Sequence, residues 1–114
     1  MSSSPVGPYS PVLESDGFVF VSGQIGLGPA GLEAGVDAQV DRAMANLAGQ
    51  LDTVGLSLRD VVKTTVFLVD MTDYDAMNAR YIAAFGEHRP ARSAVAVAAL
   101  PLGALVEIEA IAHR

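Results

Sequence analysis

Hydrophobic residues alternate or cluster over short stretches of this chain and recur every three to four residues over two longer ones. "GFVFVSGQIG" (17–26) is bounded by glycines and dominated by Phe and Val, which favour strands. "LGPAGLEAG" (27–35) reads as a turn region. From Val36 the period becomes helical. Val36, Val40, Ala43, Leu47, Leu51 and Val54 form one apolar stripe, with Asp37, Asp41, Arg42, Asn46 and Asp52 off it. Gly55 supplies a stop. "DVVKTTVFLVD" (60–70) is a second, β-branched strand. Thr72 is then expected to cap a second helix, with Asp75 in the capping-box position. Its apolar set is Tyr74, Met77, Tyr81 and Phe85, with Ile82 beside them, and it fades at Gly86. "ARSAVAVAAL" (91–100) and "LVEIEAIAHR" (105–114) are the third and fourth strands, separated by a turn at "PLGA". Residues 1–12, rich in Ser, Pro and Gly, read as an irregular arm.

The order β, α, β, α, β, β predicts an α+β fold. Each helix has one stripe, so both are expected on one face of the sheet. The other face then needs a partner, and oligomerisation is expected. Strand pleating sharpens this picture. Over 92–98, Ser93, Val95 and Val97 are expected to face the core, with Arg92, Ala94 and Ala96 opposite. In the last strand Val106, Ile108 and Ala110 fit the core, while Glu107 and Glu109 share the other face. Arg92 and Glu107 thus fall on faces that lack the core signature. A pair of solvated charges or a structural ion pair would look the same.

Composition narrows the class. The 114 residues suit one domain, 1–114, with little interior for a large pocket. A cleft between subunits is the easier place for a ligand. Thirteen acids against seven Lys/Arg give a net charge of −6, which disfavours general binding to a phosphate backbone. The absence of cysteine excludes disulfides, thiolate metal sites and a Cys nucleophile. No apolar run reaches the roughly 20 residues of a membrane span. "MSSSPVGPYSPV" lacks the charged start and apolar middle of a signal peptide, so a soluble cytoplasmic protein is expected. "GLGPAG" (Gly26, Gly28, Gly31) formally fits G-x-G-x-x-G. However, Pro29 and Gly35 keep the segment irregular until Val36, which favours a glycine turn over a dinucleotide site. His88 and His113 are far apart and lack partners at ligand spacing, so no metal site is expected.

Six stretches in order change the balance: "GPYS" (7–10), "VSGQI" (21–25), "DVVKTTVFLVDM" (60–71), "MNARY" (77–81), "PARSAV" (90–95) and "VEIEAIA" (106–112). Each is weak alone. Together, over essentially the whole chain, they resemble the Rid (YjgF) family of reactive-intermediate deaminases, and closely its RidA branch. The resemblance implies a chorismate-mutase-like mixed sheet with two helices on one face. It further implies a homotrimer with an inner β-barrel and ligand sites in the clefts between subunits. The implied activity is hydrolysis of reactive enamines and imines, such as 2-aminoacrylate or 2-iminopropanoate, to 2-oxo acids and ammonia.

The family's positions fall on Arg92 for the substrate carboxylate and on Glu107 for the water-activating acid. Tyr9, Ser22, Gly23 and Asn78 match further substrate-binding positions. Ala94 stands where many RidA members carry Cys, and the resemblance implies that this position contributes its main-chain carbonyl. The "EHRP" stretch is shorter than the usual loop before "PARS". The residue types suit the chemistry. A guanidinium fork matches a carboxylate, and a carboxyl group in a desolvated cleft can shuttle a proton. An imine carbon is already electrophilic, so no cofactor is expected. Two other readings stay open. One is a non-catalytic trimer that binds a small carboxylate, which need not retain Glu107. The other is RNA cleavage, a role sometimes attached to the family, which the net charge disfavours.

Overall fold

A computed structural model describes residues 7–114. Its elements are β1 (Val12–Ser15), β2 (Phe18–Ile25), β3 (Leu27–Gly28), β4 (Gly31–Leu32), α1 (Val36–Asp52), β5 (Val61–Leu68), α2 (Tyr74–Phe85), β6 (Ala91–Ala96) and β7 (Val106–His113). Five strands form one mixed sheet in the order β1-β2-β7-β5-β6, in which only β5 and β6 run parallel. The α+β reading holds, with both helices on one face of the sheet. β3 and β4 pair as a small hairpin inside the expected turn region. Of the expected arm, residues 1–6 lie outside the described residues, and Val12 already belongs to β1.

The helical stripes meet the sheet as their periods require. Val40, Ala43, Leu47 and Leu51 of α1 are fully buried, as are Val19 of β2 and Val106, Ile108 and Ala112 of β7. Removing each of the Val, Leu and Ile side chains from water stabilises the fold by about 1.5–3 kcal/mol, and each Ala by less. On α2, Met77, Tyr81 and Phe85 are buried, whereas Tyr74 and Ile82 are exposed. α2 starts differently from the expectation. The Asp70 side chain accepts from the backbone N–H of Thr72 at 2.9 Å and from its hydroxyl at 2.7 Å. Asp70 therefore caps a 3₁₀ turn, Met71–Asp73, that leads into α2, and Thr72 is not the cap. Asp70 precedes that turn in extended backbone, where an Asp side chain reaches the N–H two residues on.

The pleat of β6 is the reverse of the sequence expectation. In the parallel register Thr64 lies beside Arg92, Val66 beside Ala94 and Leu68 beside Ala96. Thr64, Val66 and Leu68 are fully buried on the helix side, so Arg92, Ala94 and Ala96 share that side. Val95 faces the open side and is exposed. Alternating Ala and Val carry no polarity difference, so the side is set by the register with β5. β6 is also an edge strand, where the outer valines need no cover from this chain. β7 keeps the expected alternation, with Val106, Ile108 and Ala110 inward and Glu107 and Glu109 on the open face. That open face also carries Phe18 and Phe20, each 42% exposed.

Candidate functional site

The predicted residues separate into two clusters on opposite faces of the sheet. The first is a cavity of about 330 Å³ on the open face, lined by Tyr9, Ser22, Gly23, Ile25, Pro101, Glu107 and Glu109. Its floor is a β-bulge. Val21 pairs with Ala110 and Gln24 with Ile108, so Ser22 and Gly23 together oppose the single residue Glu109. The bulge keeps Val21 and Gln24 in register with the core residues of β7.

Gly23 answers to the acid above it. A Cβ there would overlap the Glu107 carboxylate, with Cδ at 2.6 Å and Cγ at 2.9 Å. The missing side chain is what seats the carboxylate on the bulge. Burial pushes the Glu107 carboxyl above its ordinary value, and the neighbouring charge of Glu109 adds to the rise. Ser22 ties down the rim. Its hydroxyl donates to the Ser10 carbonyl at 2.6 Å, and its backbone N–H donates to Pro11 at 3.0 Å. These bonds bring the segment bearing Tyr9 beside the cavity.

Helix α1 braces the same strand from behind. Asn46 Nδ2 donates to the carbonyls of Ile25 (3.1 Å) and Leu27 (3.0 Å). The buried Gln39 accepts from the Leu105 N–H at 2.8 Å and donates to the Glu33 carbonyl at 2.9 Å. Gly26 permits this packing, since a Cβ there would stand 2.5 Å from Gln39 Cα. The glycine of "GLGPAG" thus has a packing role.

The second cluster surrounds Arg92. Its guanidinium carbon lies 4.9 Å from the centre of the Tyr81 ring and 5.6 Å from that of Tyr74. Nη2 donates to the Tyr74 hydroxyl at 3.0 Å, and Nη1 approaches Met77 Sδ at 3.9 Å. Tyr81 is held in turn by a buried hydroxyl pair with Thr64, 2.7 Å. Asn78 stands one turn after Tyr74 on α2, and its buried Oδ1 has no hydrogen-bond partner among the described residues. Ala94 packs against the core next to this cluster.

The structure therefore brings Tyr9, Ser22, Gly23 and Glu107 together, and places Arg92, Asn78 and Ala94 on the other side of the sheet. The expectation that Arg92 leaves the helix-packed side is overturned, because the β5 register turns it toward α2. Sequence reasoning missed Tyr74 and Tyr81 as partners of Arg92. Their i, i+7 spacing marked one helix face but read only as core. It also missed Pro101 and Ile25, which line the cavity by tertiary proximity alone. Among the described residues, no three His, Cys, Asp or Glu groups converge to hold a metal ion, and no helix is long and apolar enough to cross a membrane.

The family model described as endoribonuclease L-PSP matches residues 1–114. A RutC family protein of Pyrococcus horikoshii is 42% identical over 113 residues, 96% of this chain and 90% of that protein. The 2-iminobutanoate/2-iminopropanoate deaminase of Mus musculus is 44% identical over 110 residues, 94% of this chain and 82% of the enzyme. The crystal structure of RidA from the Antarctic bacterium Psychrobacter superposes with a TM-score of 0.95 at 39% identity, covering 99% of this chain and 94% of that one.

Proposed function

The chain belongs to the endoribonuclease L-PSP family, the Rid (YjgF) family of the sequence resemblance, and from that premise we propose that it hydrolyses small 2-imino acids to 2-oxo acids and ammonia. One observation carries the reading. The Glu107 carboxyl is seated by Gly23 on a bulge, partly desolvated, in a cavity at the small end of the range for ligand pockets. A carboxyl group raised by burial holds and releases a proton nearer neutrality, as hydrolysis of a C=N bond requires.

Arg92 and Glu107 point to opposite sides of one sheet, so a site using both is built from two chains. We propose that copies of this chain associate as a trimer, the β6 edge of each subunit lying against the open sheet face of the next. The Arg92 cluster of one subunit then closes the Glu107 cavity of its neighbour. The exposed Phe18, Phe20 and Val95 support this assembly, since they leave apolar surface on the uncovered face.

In such a cleft Arg92 holds the substrate carboxylate. Glu107 takes a proton from water as the oxygen bonds to the imine carbon, giving a carbinolamine. The proton passes to nitrogen, the C–N bond breaks, and ammonia leaves as the carbonyl forms. An enamine enters the sequence after protonation at its terminal carbon gives the imine. Asn78 Oδ1, an unpartnered acceptor, suits an N–H of the substrate. Ala94 keeps the main-chain carbonyl that the position is expected to offer. The paired carboxylates of the cavity and the net charge of −6 oppose a phosphodiester there.

The test is release of pyruvate and ammonia when 2-aminoacrylate is generated in situ, measured against its spontaneous decay. Wild type accelerates both, and Arg92→Ala and Glu107→Ala each lose about 100-fold or more. Equal rates for wild type and Arg92→Ala end the proposal. Pyruvate binding that survives Glu107→Ala, with no turnover by wild type, moves the protein to the carboxylate-binding class.

A further inference from the structure

We propose that the Tyr74 hydroxyl is a second donor to the substrate carboxylate and sets the affinity for the anion alongside Arg92. This deepens the proposed reading and rests on it. A guanidinium has five N–H donors in a rigid fork and can grip a carboxylate with two of them. Here the fork is not wholly available. Its flat face lies on Tyr81, Nη1 is turned toward the Met77 thioether, and an Nη2 proton is engaged by the Tyr74 oxygen.

That last contact defines the phenol. An arginine can only donate, so the Tyr74 oxygen is the acceptor and its own proton is directed elsewhere. No acceptor for it is present among the described residues, and the side chain reaches the surface at 37% exposure. Accepting from a cation polarises the O–H bond and strengthens it as a donor. An N–H from Arg92 and an O–H from Tyr74 then stand side by side at an open edge. They match the two oxygens of a planar carboxylate.

The remaining pieces hold this edge still. Thr64 is buried beside Arg92 in the strand register and bonds the Tyr81 hydroxyl, which orients the ring under the guanidinium. Tyr74 lies on the first turn of α2, which the Asp70-capped 3₁₀ turn leads into. The donor pair is therefore set on an ordered turn and a buried ring, and little reorganisation is needed on binding.

Tyr74→Phe separates the hydroxyl from the ring, because the apolar contact and the cation–π face remain. The probe is pyruvate, titrated calorimetrically into wild type, Tyr74→Phe and Arg92→Ala, with 2-iminopropanoate kinetics in parallel. Loss of one hydrogen bond to a charged group should weaken pyruvate about ten-fold in Tyr74→Phe. KM should rise by a similar factor while kcat changes little, since the carboxylate is gripped equally in the bound substrate and in the transition state. Unchanged pyruvate affinity in Tyr74→Phe, with affinity lost in Arg92→Ala, overturns the role of Tyr74 alone. Unchanged affinity in both variants overturns the carboxylate site itself. A fall in kcat at constant KM also overturns the proposal, because it assigns the phenol to shaping the site.

Discussion

The acidic cavity and the arginine cluster flank the same strand, β5, yet they are built in different ways. At Glu107 the backbone makes the site. A bulge and a glycine open space, and the carboxylate settles into it with burial as its main electrostatic influence. At Arg92 side chains make the site. Two tyrosines, one of them bonded to Thr64, and a methionine surround a cation that the strand alone would leave at an edge. The carboxyl group is tuned by removing solvent, whereas the guanidinium is held by aromatic faces and a phenol acceptor. Each half lacks what the other has, and the sheet keeps them apart within one chain.

The sharpest way to break this comparison is to mix two inactive variants. If the halves meet only between chains, Arg92→Ala and Glu107→Ala, refolded together, should recover about a quarter of wild-type activity, the statistical share of intact sites. No recovery in the mixed, assembled protein would place both groups in a single-chain site and contradict the opposite-face geometry. Next in size, Gly23→Ala should lower kcat/KM about 100-fold by displacing the carboxylate. The overlapping atoms end a flexible side chain, so the melting temperature should move little. A large loss of stability instead would give Gly23 a role in the fold rather than the site.

On the arginine side, Tyr81→Phe strands the buried Thr64 hydroxyl. It should cost about 1–2 kcal/mol in chemical denaturation. The smallest effect belongs to Glu109→Gln. The folded Glu107 value is raised, so the native state holds more protons than the unfolded chain just above the ordinary carboxyl range. Stability therefore falls as pH rises through that window. Removing the Glu109 charge lowers the Glu107 value, so the acid limb of a kcat/KM profile should shift to lower pH. A limb that stays in place would leave burial as the whole cause.

Much of this was legible in the chain. The stripes of α1 and α2 and the alternation of β7 place both helices on one face and Glu107 on the other, because those patterns contrast apolar with polar. The ordered motifs located Tyr9, Ser22, Gly23 and Glu107, which the structure gathers around one cavity. β6 was not legible. Ala and Val alternate without polarity, so nothing local tells the inward face from the outward one, and only the register with β5 puts Arg92 on the helix side. The Asp70 cap was hidden for a related reason, since Thr72 and Asp75 satisfy the same motif on paper.

What the amino-acid sequence determined alone was periodic and local: element type, helix faces, and the ordered motifs that mark the family. Tertiary structure decided what depends on register. The parallel pairing of Thr64 with Arg92 turned the arginine onto Tyr74 and Tyr81. The bulge opposite Glu109 let Gly23 receive the Glu107 carboxylate. A side chain's face follows from its neighbours across the sheet, and a sequence carries that information only where polarity differs along the strand.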